Sequence, residues 1–288
     1  MSRTVTAALD DRPRGHVAAR WAAREAERRG LPLRLVHVMR TRTYADLPLP
    51  ESESRHEIAA ALLRGVADDL RDRHPGLQVR AEEITGDPGF VLAAVSAESE
   101  LLVLGTRGMR AVTGFLVGSV SLSVAAHARC PVVLVRERTP VGEEVEAKDV
   151  VLGLDLARPS DALIAFAFEA ANRRRARLRV VHGFTTPSLQ NANTEAIDVT
   201  RAEELGVGQA RALADALRPW RGTYPDVEIV EDAVPGRPVH RLAEASAGAA
   251  LVVVGRRTRR GPVGARLGSV AHAVLHHSEA PVAVVPHD

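Results

Sequence analysis

The sequence holds one cysteine, Cys130, and one lysine, Lys148, in 288 residues. A lone thiol cannot close an internal disulfide, and Cys130, set before Pro131 at the head of an apolar run, reads as a small buried hydrophobe. With one lysine, cationic contacts to phosphate fall to arginine, and no G-x-x-x-x-G-K-[ST] string occurs, which excludes a P-loop. Aromatic residues make up 3% of the chain, too few for the stacking platforms that hold single-stranded nucleic acid. The formal net charge is only +2 and no single-sign tail exists, so no nucleic-acid partner is expected. There is no run of about 18 apolar residues, and residues 1–11 lack the apolar core of a signal segment. The expectation is therefore no membrane association and a cytoplasmic location.

What is present is ordinary for a folded protein: 45% apolar and 26% charged residues. The length suits two compact units of about 140 residues, each able to bury its own core. Laid against itself, the chain repeats. Gly105, Gly118, Ser119, Val120 and Pro131 recur 150 positions later as Gly255, Gly268, Ser269, Val270 and Pro281, as do Gly86 and Pro88 as Gly236 and Pro238. Nearer the start of each half the offset is 145, pairing Asp10 with Asp155 and His37 with His182. The second half thus carries five extra residues, assigned to the polar, turn-rich stretch 185–200. Domains are expected over 1–138 and 147–288, joined by a charged linker at 137–147 containing Pro140 and Gly142.

Each half alternates strands with helices. In the first, strands are expected at 5–9, 33–38, 78–84, 101–104 and 132–135, with helices at 15–29, 52–73 and 89–99 and another from residue 119. The second half runs through the same order from 150 to 285. Near-continuous apolar strands such as Leu101 to Leu104, Val132 to Val135 and Leu251 to Val254 suit a parallel sheet covered on both faces. The fold class is α/β, as two tandem open five-stranded parallel-sheet domains.

After strand four of the first half come Gly105-Thr-Arg-Gly108, then nine residues, then Gly118-Ser119 at a helix start. Glycines after a strand let the backbone turn sharply and approach a ligand. A helix N-terminus offers free N–H groups and a favourable dipole to anionic oxygens. Asp10, at the end of strand one, would stand beside this loop if strands one and four are neighbours at a topological switch point. A carboxylate there can accept hydrogen bonds from a ribose or base, hold a metal, or simply cap a turn.

The G-x-x-G-x9-G-S pattern, with the closing stretches GSVSLSVAAHARCPVVLV and GSVAHAVLHHSEAPVAVV, resembles the universal stress protein family across nearly the whole chain. The resemblance implies a strand order of 3-2-1-4-5, the adenine nucleotide alpha hydrolase-like arrangement, with the two domains paired through strand five as an intramolecular pseudo-dimer. It implies ATP as ligand, with Mg2+ as a candidate companion. Asp10 and the backbone near Val38 would hold the adenosine end. Gly105 and Gly108 would contact ribose and the first phosphate, while Gly118, Ser119 and Val120 would cradle the outer phosphates. Ser121 matches a further hydroxyl position. The second half matches with Asp155, Gly183, Gly255, Thr258, Gly268, Ser269 and Val270.

The halves depart from the pattern in places. Thr258 replaces the second glycine, Ala271 stands opposite Ser121, and Asp11 replaces the small residue usual after the strand-one aspartate, so the first site is expected to be the better one. Arg256, Arg257, Arg259 and Arg260 offer compensating phosphate contacts or form a solvated loop. His272 and His276 have a spacing that can bind zinc, but no acidic or cysteine partner is placed to complete a site, and an exposed or interface-facing helix accounts for them. His37 and His182 are expected to be structural and to find backbone partners. No catalytic set can be named. The leading expectation is a nucleotide-dependent stress-response or signalling regulator with an unidentified protein partner and a homodimer as a further option. The alternatives are a slow ATP-hydrolysing enzyme and a nucleotide-free interaction scaffold.

Overall fold

The structure, a computed structural model, describes residues 3–10, 14–40, 50–106, 110–111, 114–115, 117–136, 149–185, 199–258 and 267–288. The linker at 137–147, Asp11, Gly108, Arg259 and Arg260 lie outside the described residues, as does most of the insertion at 185–200. The chain divides into two compact units, one built mainly from residues up to 142 and the other from those that follow.

The first unit runs β1 (Thr4–Leu9), α1 (Arg14–Arg29), β2 (Leu33–Met39), α2 (Pro50–Arg73), β3 (Val79–Thr85), α3 (Pro88–Val95) and β4 (Ser99–Thr106). It continues with β5 (Arg110–Ala111), β6 (Gly114–Phe115), α4 (Ser119–His127) and β7 (Val132–Arg136). Its sheet is wholly parallel, with β1 paired to β2 and β4, β2 to β3, and β4 to β7. Counted along the chain, the five sheet strands stand in the order 3-2-1-4-5, as expected. Helix α1 packs on α2 and α3 on α4. Right-handed crossovers that run outward from β1 and then back across it place one helix pair on each face. Both faces being covered explains why β7 is buried throughout and why Leu33, Leu35, Leu101 and Leu102 are fully buried.

The second unit repeats this with β8 (Val150–Gly153), α5 (Asp161–Arg174), β9 (Leu178–Phe184), α6 (Val199–Thr223) and β10 (Ile229–Pro235). After these come α7 (Pro238–Ser246), β11 (Leu251–Arg257), α8 (Ser269–His277) and β12 (Val282–His287). Its parallel pairings, β8 with β9 and β11, β9 with β10, and β11 with β12, give the same order. The core here includes a ring stack in which Phe168 lies 5.4 Å from Tyr224 and 6.0 Å from Trp220, fastening α5 to the end of α6. Strand β9 starts 145 residues after β2 (33 to 178) and β10 starts 150 after β3 (79 to 229), so the extra residues fall between them.

Two local readings differ from the structure. The helix expected over 89–99 stops at Val95, and β4 begins at Ser99. Ser99 is buried, donates its hydroxyl to the Val95 carbonyl at 3.0 Å and shares a 2.8 Å hydrogen bond with Thr6 Oγ1, so a polar residue is drawn into the sheet by specific partners. The antiparallel pair β5 and β6 sits inside the nine-residue spacer of the glycine pattern and was not foreseen. Cys130 is buried with its Sγ 3.4 Å from the Pro131 carbonyl, and burial pushes its thiol up to about 12, as suits a small hydrophobe.

Candidate functional site

The switch point of the first unit lies between β1 and β4. Ala8 pairs with Leu104, so Asp10, two residues past Ala8, and Gly105, one past Leu104, lie at the same edge of the sheet. Asp10 is exposed and makes no hydrogen bond or ion pair among the described residues. The strand end beneath it is fixed by His37, buried in β2, whose Nδ1–H donates to the Leu9 carbonyl at 3.1 Å. His182 does the same for Leu154, the residue before Asp155, at 2.9 Å. Both histidines are thus structural groups with backbone partners, and the device is repeated in each unit.

Val38 lies in β2 opposite Ile84 of β3, and Gly105 lies in β4 opposite Val135 of β7. Gly118 is the N-cap of α4, with φ −67° and ψ 152° and no side-chain cap. Leu122 N–H donates to the Gly118 carbonyl at 3.0 Å, leaving the N–H groups of Ser119, Val120 and Ser121 without acceptors inside the helix. No acidic residue stands in the first turn to compete with an incoming anion. Ser119 is exposed, Val120 half-buried, and Ser121 buried, so of the two hydroxyls only that of Ser119 lies open at the helix start.

Glycine at 118 is not required by the fold. Its φ is one that any residue adopts, and a Cβ there would meet nothing within 4 Å. Gly268, the N-cap of α8, has φ −62° and ψ 155°, also without a side-chain cap and with open space around it. Ser269 and Val270 follow it as Ser119 and Val120 follow Gly118, with Ala271 buried in place of Ser121.

Elsewhere the second unit is built differently. Asp155 accepts from Ala157 N–H at 3.1 Å through Oδ1 and from Arg257 Nη2 at 2.9 Å through Oδ2. Gly183, in β9, is needed for packing, since a Cβ would lie 2.8 Å from Pro238 Cα and 3.1 Å from the Gly236 carbonyl oxygen. A Cβ on Gly255 would lie 2.5 Å from His287 Nε2 and 3.1 Å from Leu163 Cδ2. Thr258, at the second-glycine position, donates its hydroxyl to the His287 carbonyl at 3.1 Å and to Asp288 Oδ1 at 2.8 Å. Of the arginine cluster, Arg256 is buried, its guanidinium held below its usual value by desolvation, on the opposite strand face from Gly255 and Arg257. Neither Arg257 nor His287 was singled out as a partner for these positions by sequence reasoning.

Among the described residues no group of three or more His, Cys, Asp or Glu is placed to hold a metal ion, and no helix is long and apolar enough to cross a membrane. His272 and His276 lie ring to ring at 4.8 Å, with His272 exposed.

Comparison with known proteins places these features in a lineage. The universal stress protein family matches residues 1–136 and again 146–286. The universal stress protein Rv2005c of Mycobacterium tuberculosis is 33% identical over 291 residues, covering 97% of this chain and 96% of its own. The crystal structure of a universal stress protein from Archaeoglobus fulgidus superposes over the full length of both chains with a TM-score of 0.71 at 18% identity. A universal stress protein solved in complex with cAMP aligns with 46% of this chain and 97% of its own, with a TM-score of 0.39 at 21% identity. With two matching segments that together span nearly all of its length, the chain belongs to the universal stress protein family as a tandem, two-domain member.

Proposed function

We propose that the first unit binds an adenine nucleotide, ATP with Mg2+ being the form to test, and that the protein acts as a nucleotide-dependent regulator rather than a dedicated catalyst. The observation that carries this reading is the start of α4. An uncapped helix end, opened by a glycine that neither backbone conformation nor packing demands, leaves consecutive N–H groups facing room for anionic oxygens. Asp10, exposed at the neighbouring strand end, is free to accept hydrogen bonds from a ribose or base. Gly108 would complete the phosphate turn. Binding of this kind shifts the protein between states that a partner can read, by as much as the nucleotide's affinity differs between them. A cytoplasmic setting belongs to the same reading, and a single buried thiol suits it.

The test is the small-molecule content of the purified protein. Denaturation is expected to release adenine nucleotide in near-stoichiometric amount from the wild type and little from Gly118→Val, whose fold has room for the side chain. Release of no nucleotide after incubation with Mg-ATP and desalting would favour the scaffold reading. Steady ADP formation that disappears in Gly118→Val would favour the enzyme instead.

A further inference from the structure

We infer that the second unit occupies its own nucleoside positions, at Asp155 and Gly255, with Arg257 and His287, so that the chain takes up one adenine nucleotide rather than two; this rests on the nucleotide reading of the first unit. The two units share the helix start, for Gly118 and Gly268 have nearly the same backbone angles and the same open space. Around Asp155, Gly255 and Thr258 the second unit supplies partners of its own.

Asp155 has both carboxylate oxygens engaged, one by the Ala157 amide and one by the Arg257 guanidinium. A ribose or base arriving there would have to displace a charge-assisted hydrogen bond, whereas Asp10 has no such partner among the described residues. The space that glycine leaves at 255 is filled from within. The His287 ring lies 2.5 Å (Nε2) and 2.8 Å (Cδ2) from where a Cβ would stand, and Leu163 of α5 closes the same side at 3.1 Å. Arg257 and Gly255 lie on one face of β11, so the guanidinium and the imidazole guard the same edge.

The backbone completes the closure. Strands β11 and β12 pair through Arg257 and His287. Thr258 then adds another rung, its N–H donating to the His287 carbonyl at 2.6 Å, while its hydroxyl bonds His287 and Asp288. The residue at the second-glycine position is therefore held along the sheet edge instead of turning toward a ligand. An open helix start remains, but the positions that would seat the nucleoside beside it are taken by the protein's own groups.

Isothermal titration of the full chain with Mg-ATP tests this, with circular dichroism melting to confirm that each variant is folded. One equivalent is expected for the wild type, none for Gly118→Val, and two for the double variant Arg257→Ala with His287→Ala. Two equivalents in the wild type, or one retained by Gly118→Val, would overturn the closure. So would a double variant that still takes one, since exclusion would then lie with Thr258 alone. A wild type that binds nothing while the double variant gains one equivalent would keep the closure and remove the first-unit reading. Silence in all three would remove both.

Discussion

Gly183 and Gly118 carry the same one-letter code and answer to different demands. Backbone atoms of Gly236 and Pro238 stand within about 3 Å of a Cβ at 183, and backbone cannot swing aside as the tip of a side chain can. Gly183→Ala is therefore expected to lower stability by about 1–3 kcal/mol in chemical denaturation, the range of overpacking penalties. Gly118→Ala, in open space and at an ordinary φ, should move the unfolding midpoint by less than about 0.5 kcal/mol equivalent and still weaken nucleotide binding. A result in which both alanines destabilise alike would show that Gly118 is a packing residue. Spacing picked out Gly118 as a site residue, and the family resemblance picked out Gly183. What spacing cannot convey is the crowding at 183, because the atoms responsible lie more than fifty residues away in sequence and meet it only through the pairing of β9 with β10. Gly86 and Gly236 are a third kind, at φ 150° and 134°, where a turn after β3 and β10 needs glycine on conformational grounds.

Among the elements, α3 and α7 form a matched pair in which the repeat supplies its own control. Asp87 caps α3, its Oδ1 accepting from Gly89 N–H at 2.9 Å and Phe90 N–H at 3.2 Å. The equivalent residue of α7, Arg237, makes no side-chain cap. Asp87→Ala should cost about 1 kcal/mol, and Arg237→Asp should gain a similar amount, both read from urea midpoints at constant slope. No gain at 237 would mean that the His240 amide, which donates to the Arg237 carbonyl at 3.1 Å, leaves an added cap little to satisfy. Element type was legible almost everywhere, because buried parallel strands announce themselves as short unbroken apolar runs. Ends were less so. The boundary at Val95 and Ser99 depends on the hydroxyl pairing between Ser99 and Thr6, ninety-three positions apart, which local periodicity does not register. Ser96 and Ser246 show the same blindness: each accepts from an amide after the following helix, Arg129 at 2.8 Å and Glu279 at 3.1 Å, tying one helix end to the next in both units.

On the scale of the whole molecule, the repeat was the most legible property, and the shift in offset from 145 to 150 located the extra residues correctly between β9 and β10. The strand order followed from the resemblance, and each unit bears it out. Thr258 marked the second copy's departure from the glycine pattern. The contacts of Arg257 with Asp155 and of His287 with Gly255 were not legible, since they form only when β11 and β12 pair to their ends and when β8 carries Asp155 alongside. A duplicated sequence thus yields two copies of one scaffold with matching helix starts at Gly118 and Gly268, and in the second copy Arg257 and His287 stand against Asp155 and Gly255.

The central claim is that amides at the start of α4 hold phosphate oxygens, and amide NMR of the full chain titrated with Mg-ATP tests it most directly. The N–H resonances of Ser119, Val120 and Ser121 should shift and become protected from exchange, while those of Ser269, Val270 and Ala271 stay where they are. Unchanged resonances at 119–121 under saturating ATP would contradict the account.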